Sequence, residues 1–228
     1  PELAALKNIP QDPEWHPEGD VWTHTCHVCD AAAQIAERDQ LDPLERSILL
    51  LAALCHDLGK PATTEIVDGR WRSRGHCKAG VPISRAFLES IGCPEQIIEV
   101  VEPLVAEHLI HAQKDINARV VRRLSHRLGK ATITQLVRLI EADMKGRPPL
   151  PGNLPEGVIK IVEIASHMGS LESQPRPIIL GRHLIQLGHK PDVWFSEVLS
   201  ECFEAQLDGI FETEEDGICF LEKHLGEK

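Results

Sequence analysis

The chain has 228 residues, of which 42% are hydrophobic, and a formal net charge of −11. This length and apolar content suffice for one large domain, or for a domain with an appendage. The negative charge argues against a protein that coats nucleic acid non-specifically, but it leaves nucleotides and RNA ends open as substrates. No run of eighteen apolar residues and no charged-then-apolar leader is present, so neither a membrane span nor a signal peptide is expected.

The first two predicted helices are marked by their N-terminal caps. Asp20 or Thr23 can cap a helix that runs to about Gln40. The segment Asp42-Pro43-Leu44-Glu45 is a stronger helix start, because it places Asp at the cap, Pro in the first turn and Glu three residues after the cap. Two successive helices are therefore predicted at the start of the chain.

The second helix leads into the most informative segment, His56-Asp57-Leu58-Gly59-Lys60. This segment follows the apolar run 48–55, where an imidazole and a carboxylate are costly unless a charged group compensates them. A divalent metal is the usual compensation, because both groups are good ligands. Gly59 is predicted to end the helix and to leave Lys60 just outside it, where the ammonium group can hold a phosphate.

The sequence pattern changes after this segment. An Asp68-Gly69 turn between short extended arms predicts a small β-hairpin within 63–73. Thr132 and Gln135 have the spacing of a capping box at the start of a later helix. Helices are predicted over 77–90, 94–109, 116–128 and 132–145.

The clearest linker is Pro148-Pro149-Leu150-Pro151-Gly152. We predict an all-α fold with one domain over 1–148 and a C-terminal helical extension over 149–228. The apolar helices of the extension offer a surface for a homodimer. These helices are predicted over 156–168, 178–189, 193–207 and 214–225.

Further polar residues lie where apolar ones are expected. His24, His108 and Asp143 each share a helical register with apolar residues, and His76 comes just after the hairpin. Their side chains are therefore expected to point into the core. These polar side chains would destabilise the fold if they had no partners in the core. They would be stabilised if they met the His56-Asp57 pair around a metal ion. Mixed imidazole and carboxylate ligation suits Mn, Fe, Co, Ni, Zn or Mg better than a closed structural zinc site.

The sequence contains seven cysteines, which is an odd number, and several of them lie in apolar helical runs. Free thiols in a reducing cytoplasm are the simplest interpretation, so a cytoplasmic protein is expected. Cys26-x-x-Cys29 with His24 or His27 is an alternative zinc motif. It lacks a second cysteine pair and lies within a predicted helix, so both cysteines are interpreted as core residues.

The basic residues and one loop histidine have two interpretations each. The basic clusters are either solvated helix faces or contacts for an anionic partner, and the second interpretation makes Arg119, Arg122, Arg123 and Arg127 a docking surface for RNA. His16 lies either near the entrance of the metal site or merely on the surface. The absence of Tyr and the presence of only five Phe leave few platforms for stacking bases.

The ligand pattern resembles a known family. His24, the pair His56-Asp57 and Asp143 match the His…His-Asp…Asp pattern of HD-domain metal-dependent phosphohydrolases. The longer match resembles the C-terminal HD region of bacterial CCA-adding tRNA nucleotidyltransferases. It comprises Trp15-His16-Pro17-Glu18-Gly19-Asp20-Val21-Trp22-Thr23-His24-Thr25, Cys55-His56-Asp57-Leu58-Gly59-Lys60, Gly75-His76-x-x-Ala79-Gly80-Val81 and Glu141-Ala142-Asp143-x-x-Gly146-Arg147. In the tail it comprises Gly181-Arg182-His183-Leu184-Ile185-x-Leu187-Gly188-x-Lys190-Pro191 and Glu204-Ala205-Gln206-Leu207-Asp208-Gly209.

This resemblance implies an HD-domain helical bundle with a small β-hairpin insertion and a divalent metal held by His24, His56, Asp57 and Asp143. It also implies 2′,3′-cyclic phosphodiesterase, 2′-nucleotidase and phosphatase activities on nucleotides or RNA ends. The nucleotidyltransferase head of that family, with its Gly-rich loop and paired catalytic Asp residues, is missing from this sequence. Nucleotide addition to tRNA is therefore not expected of the chain by itself.

The predicted roles follow from metal-assisted hydrolysis. Asp57 is the bridging ligand or proton acceptor, and Lys60 and Arg147 hold phosphate oxygens, with His16 near the substrate. His76 and His108 either complete a second metal site, as in two-metal members of the broader superfamily, or contact the phosphate. Two alternatives stay open. One is another substrate on the same site: a nucleoside 5′-monophosphate, a deoxynucleoside triphosphate or a guanosine-tetraphosphate alarmone. The other is a non-catalytic module that docks tRNA.

Overall fold

Helices make up nearly all the regular structure in a computed structural model that describes residues 1–226. Their order is α1 (Val21–Arg38), α2 (Pro43–Cys55), α3 (Lys60–Thr63), α4 (His76–Ser90), α5 (Glu95–Glu107), α6 (Ala118–Arg127), α7 (Ile133–Lys145), α8 (Glu156–His167), α9 (Gly181–Gln186), α10 (Trp194–Asp208) and α11 (Glu214–Gly226). The all-α prediction is confirmed. Among these helices, none combines the length and the apolar composition that crossing a bilayer requires.

The predicted helix starts are confirmed by their caps. Asp20, rather than Thr23, caps α1, since its carboxylate accepts from the Thr23 backbone N–H at 2.9 Å. The Asp42 side chain accepts from two backbone N–H groups in the first turn of α2. Thr132 and Gln135 form the reciprocal capping box that starts α7. Each cap satisfies backbone donors that have no partner within the helix.

The predicted hairpin is also present. Strand β1 (Thr64–Val67) pairs antiparallel with β2 (Arg70–Ser73), with Val67 opposite Arg70. Asp68 and Gly69 both have positive φ, 53° and 75° respectively. This is the conformation that a two-residue hairpin turn needs to match the twist of its strands.

The prediction that Gly59 ends the second helix is wrong. Helix α2 ends at Cys55, and His56 and Asp57 lie in the turn that follows it. Gly59 has an ordinary φ of −81° and directly precedes α3, in which Lys60 is buried rather than left outside. The position requires glycine because a Cβ there would lie 2.1 Å from the carbonyl oxygen of His76 on the neighbouring helix. Gly59 therefore sets how closely α3 approaches α4.

We expect Gly59→Ala to destabilise the chain by about 1–3 kcal/mol or more, because the clash is with backbone that cannot move aside. Chemical denaturation measures this loss. Gly226→Ala is the matched control, since a Cβ at that position meets nothing within 4 Å. Equal stability of the two variants would show that α3 and α4 do not need this close approach.

Two hydrophobic clusters divide the chain. The main core unites α1, α2, α5 and α7 with parts of α4, α6 and α8. A smaller cluster, which contains Leu184, Phe195 and Leu221, joins α9, α10 and α11. Helix α8 lies beyond the predicted boundary at residue 148 and yet packs in the main core. That boundary stays a prediction, and the last residues of the predicted extension, 227–228, lie outside the described residues.

The basic face of α6 is joined to the C-terminal helices by ion pairs. Arg119 and Arg123 both contact the carboxylate of Asp208 at the end of α10. Arg122 pairs with Glu212 in the tail at 2.8 Å, whereas Arg127 pairs with Glu107 of α5 at 2.7 Å. The first three arginines join the tail to α6, and all four have acidic partners, which weighs against an RNA-docking surface on α6.

Candidate metal centre

The residues of the predicted ligand set, His24, His56, Asp57 and Asp143, meet in the interior. All four are buried, and they come from α1, the turn after α2, and α7. His24 Nε2 lies 3.1 Å from Asp143 Oδ1 and 3.3 Å from His56 Nε2. His56 Nε2 lies 3.2 Å from Asp57 Oδ2. The registers of α1 and α7 direct His24 and Asp143 inward, as the sequence predicts, whereas the turn after α2 places His56 and Asp57.

A second pair of imidazoles adjoins this group. His76 is the first residue of α4 and His108 follows α5, and their Nε2 atoms are 3.2 Å apart. His76 Nε2 lies 3.3 Å from Asp57 Oδ1. The two oxygens of Asp57 therefore face different histidine pairs, which is the arrangement a bridging carboxylate requires.

Backbone carbonyls fix the orientation of three of these imidazole rings. In each ring Nδ1 lies 2.7 Å from a carbonyl oxygen three residues earlier, the pairs being His56 with Ala53, His76 with Ser73 and His108 with Val105. A neutral ring that donates from Nδ1 carries its lone pair on Nε2. This is the usual way in which a protein presents an imidazole to a metal.

The donor set fits a divalent cation. Asp57 Oδ2 is buried and finds no hydrogen-bond partner among the described residues. The Lys60 ammonium lies 2.7 Å from that oxygen as an ion pair, but without the alignment of a hydrogen bond. Pairs of Nε2 atoms that face each other at 3.2–3.3 Å need either a shared proton or a cation between them. Imidazole and carboxylate donors suit borderline and hard divalent ions.

Buried charges of both signs set the electrostatics of this cluster. Burial raises the pKa of the Asp57 and Asp143 carboxyls, but positive neighbours outweigh it and hold both well below the usual range. Burial lowers the pKa of His76, but the hydrogen bond to Asp57 outweighs it and raises that pKa to about 10. Burial and the charges of neighbouring histidines lower the pKa of His108 to about 3. The pKa values of the two imidazoles of this pair are therefore displaced in opposite directions.

Glu18 is a site residue that the sequence analysis missed. Its Oε1 lies 2.7 Å from His24 Nδ1 and 2.9 Å from His16 Nδ1. Within residues 1–226, its Oε2 has no hydrogen-bond partner although it is buried. Burial raises the pKa of Glu18, but the bonds to His16 and His24 outweigh it and lower that pKa to about 2. A carboxylate on the far nitrogen of a ligand histidine fixes the ring and raises its basicity.

We expect Glu18→Gln to weaken divalent-metal affinity about 10- to 100-fold, because the amide holds His24 without a negative charge. Isothermal titration calorimetry of the chelator-stripped chain measures this loss. Glu37→Gln, at an exposed position of the same helix α1, is the matched control. Unchanged affinity in Glu18→Gln would mean that Glu18 does not act through His24.

A cavity of about 450 Å³ adjoins the cluster. Seven of the nine predicted site residues line this cavity: His16, Asp57, Lys60, His76, His108, Asp143 and Arg147. The other two, His24 and His56, lie in the adjoining cluster. Arg147 Nη2 donates to Asp143 Oδ2 at 2.6 Å, and Lys60 Nζ donates to Gln11 Oε1 at 2.6 Å. Two tryptophans also line the cavity, Trp15 and Trp71, which are 51% and 36% exposed. The site thus combines cations, aromatic rings and a metal-ligand cluster.

An ion pair on the cavity wall joins the N-terminal loop to the hairpin. Arg70 donates from Nε and Nη2 to the Asp12 carboxylate at 2.6 and 2.9 Å. Hydrogen bonds with Arg70 lower the pKa of Asp12 to about 2, from an ordinary value of 3.8. Because the folded-state pKa is the lower one, the stability this pair contributes is present above the unfolded value and is lost as the pH falls through about 2.

We therefore expect the difference in unfolding free energy between the native chain and Arg70→Gln to shrink as the pH is lowered from about 5 to about 2. Urea denaturation at several pH values measures this difference. Lys114→Gln, an exposed charge removed elsewhere, is the control. A difference that stays constant with pH would contradict the assigned ion pair.

The alternative cysteine site is not assembled. Among the described residues, the groups of donors close enough to hold an ion are His16–Glu18–His24, His24–His56–Asp57 and His76–Cys77–His108. Neither Cys26 nor Cys29 belongs to any of them. The interpretation of Cys26 as a core residue is wrong because it is exposed, whereas Cys29 is half-buried against the main core.

Comparison with known proteins identifies the family of the chain. A family model described as HD domain matches residues 21–142. The chain belongs to the HD domain family. Membership places it in the superfamily of metal-dependent hydrolases and agrees with the helical fold.

Curated relatives give a second line of comparison. The chain is 33% identical over 153 residues to a "Multifunctional CCA protein" of Pasteurella multocida, a match that covers 64% of this chain and 35% of the relative. It is 35% identical over 153 residues to proteins of the same name in two strains of Xanthomonas campestris pv. campestris, with the same coverage. The aligned part thus represents about a third of the length of these relatives. The predicted similarity to proteins of this kind is confirmed.

Proposed function

We propose that this chain hydrolyses a phosphoester on a nucleotide or an RNA end, with 2′,3′-cyclic phosphodiesterase, 2′-nucleotidase and phosphatase as the candidate reactions. The observation that carries the proposal is the convergence of buried imidazoles with Asp57 and Asp143 beside a cavity lined by Lys60 and Arg147. Such an arrangement presents ligands for a cation and countercharges for a phosphate side by side.

His24, His56, Asp57 and Asp143 would hold the metal. A divalent ion at this position lowers the pKa of water toward neutrality and offsets charge on phosphoryl oxygens. Asp57, which faces both histidine pairs, is the candidate proton acceptor at Oδ1. The identity of the ion is left to experiment among Ni, Mn, Mg, Co, Fe and Zn.

The cavity supplies the substrate contacts. Lys60 and Arg147 are both largely buried in its wall, so their charges act on a phosphate with little screening by water. Trp15 and Trp71 offer flat apolar surfaces for a nucleobase, which the composition alone did not predict. His16, held by Glu18, lines the same cavity as a substrate contact. A volume of about 450 Å³ is in the range of small-molecule sites.

A panel of substrates and metals tests this proposal. The chelator-stripped chain is refilled with each candidate ion and assayed for hydrolysis of 2′-AMP, 3′-AMP, 5′-AMP, 2′,3′-cyclic AMP, a deoxynucleoside triphosphate and guanosine tetraphosphate. Turnover of the 2′ and cyclic compounds that depends on added metal supports the proposal. Turnover of only 5′-AMP, a deoxynucleoside triphosphate or guanosine tetraphosphate would assign a different substrate to the same site. No turnover with any ion would overturn it.

The resemblance to CCA-adding proteins also supports a second candidate, a module that docks tRNA. Binding of a tRNA that persists after chelation, with no hydrolysis under any condition, would favour it. The ion pairs of Arg119, Arg122, Arg123 and Arg127 weigh against a free basic surface on α6.

We also propose that the chain forms a homodimer through the apolar helices of its extension, that it is located in the cytoplasm, and that residue 148 separates its two domains. Sedimentation velocity of the chain with and without residues 149–228 tests both the dimer and the division.

A further inference from the structure

We propose that Cys77 is a ligand of a second cation site, together with His76 and His108, and that its thiolate makes this site selective for thiophilic ions such as Zn²⁺ over Mg²⁺ and Mn²⁺. The inference rests on the metal centre of the proposed function and adds a donor to it. The His…His-Asp…Asp pattern does not indicate this donor, because Cys77 is neither a histidine nor a carboxylate.

The spacing of the three donor atoms is that of a metal site. Cys77 Sγ lies 3.7 Å from His76 Nε2 and 3.9 Å from His108 Nε2, and the two nitrogens are 3.2 Å apart. Ligands bound tetrahedrally to zinc at about 2.0–2.3 Å lie about 3.3–3.6 Å from one another. The three atoms therefore need to move by only a few tenths of an ångström to share an ion.

The surroundings prepare these atoms for a cation. His76 and His108 are buried, and both hold their Nδ1 against backbone carbonyls, so Nε2 is the ring atom that faces the other donors. Cys77 stands in the first turn of α4, a helix of 15 residues whose N-terminal end favours negative charge. All three residues line the cavity, and Asp57 Oδ1 lies 3.3 Å from His76 Nε2, so the shared carboxylate is a fourth donor within reach. Four donors of these kinds suit a tetrahedral zinc ion.

A thiol donor alone does not account for both sulfur contacts. One S–H proton can serve one nitrogen, and Sγ lies at nearly the same distance from both Nε2 atoms, so the second contact needs either an N–H donor to sulfur or a shared cation. A thiolate beside two imidazoles also predicts which ions bind. Sulfur ligands favour zinc and its neighbours, while Mg²⁺ and Mn²⁺ prefer oxygen donors. The first site, built from His24, His56, Asp57 and Asp143, has no sulfur and should not share this selectivity.

Cobalt spectroscopy of the full chain tests the proposal. Co²⁺ added to the chelator-stripped protein should produce a thiolate-to-cobalt charge-transfer band in the near ultraviolet, and Cys77→Ser should abolish it. Cys26→Ser, at an exposed position of α1, is the matched control and should keep the band. In competition with a chromophoric chelator, Cys77→Ser should also lose at least about tenfold in Zn²⁺ affinity while Mg²⁺ and Mn²⁺ affinities change little.

A measurement on the unmodified chain guards against misfolding of the variant. Zn²⁺ should slow the reaction of Cys77 with iodoacetamide, quantified by peptide mass spectrometry, while exposed Cys26 reacts at the same rate with and without the ion. A native chain without the cobalt band, a band that survives Cys77→Ser, or alkylation of Cys77 that Zn²⁺ does not slow would each overturn the proposal. Hydrolysis by a chain that fails these tests would leave the proposed function standing and remove only the thiolate.

Discussion

Asp57→Asn is expected to lower kcat/KM for the best substrate about 10⁴-fold or more, with little change in the far-ultraviolet circular dichroism. The physical reason is that Asp57 contacts both histidine pairs, with Oδ1 toward His76 and Oδ2 toward His56. An amide of the same shape cannot neutralise a cation between them, nor can it accept a proton. The same variant should therefore lose metal binding in calorimetry.

The helices should keep their packing because asparagine has the shape of aspartate. The substitution also removes the ion-pair partner of buried Lys60, so some loss of stability is expected, and chemical denaturation measures it separately from activity. Asp30→Asn, at an exposed position of α1, provides the matched control and should keep full activity. Full metal-stimulated turnover by Asp57→Asn would refute the assigned metal centre and the proposed function together.

The parts of the site that the sequence predicts are those fixed by local geometry. The register of α1 directs His24 inward, and the register of α7 does the same for Asp143, because side chains at helical spacing share a face. The Asp42 cap and the Asp68-Gly69 turn act through their own backbone and need no knowledge of the rest of the chain.

The parts that the sequence does not predict depend on contacts between distant segments. Gly59 has the appearance of a helix stop, but its role is set by the carbonyl of His76 on the next helix. Glu18 reaches His24 only because the loop before α1 folds back over that ring. Cys77 follows His76 directly in sequence, yet only the approach of His108 from α5 makes it part of a donor cluster.

The α6 arginines illustrate the same limit for surfaces. In sequence, Arg119 and Arg123 form a basic stripe that is equally compatible with RNA binding and with a solvent-exposed helix face. In the structure both contact Asp208, which lies more than eighty residues away in the chain. Charge patterning identifies the positive partner of such a pair, but the position of the negative partner is a property of the tertiary fold.

Saturating divalent metal is expected to raise the melting temperature of the chelator-stripped chain by about 5–10 °C, since an ion at 100 times its Kd adds about 2.7 kcal/mol and each kcal/mol shifts a chain of this size by about 2–4 °C. The gain arises because the ion binds ligands that only the folded chain brings together. His24 and Asp143 are more than a hundred residues apart in sequence but have donor atoms 3.1 Å apart. Differential scanning fluorimetry across the candidate ions measures the shift, and excess chelator should reverse it.

The variants decide where the stabilising ion binds. In Asp57→Asn the shift should vanish for every ion, because both histidine pairs lose the carboxylate they share. In Cys77→Ser the shift with Zn²⁺ should become smaller, whereas the shift with Mg²⁺ or Mn²⁺ should stay, because only the thiolate subsite discriminates among these ions. In Asp30→Asn all shifts should equal those of the native chain. An undiminished shift in Asp57→Asn would place the ion elsewhere on the protein, and the close approach of the buried Nε2 atoms to one another would then need another explanation.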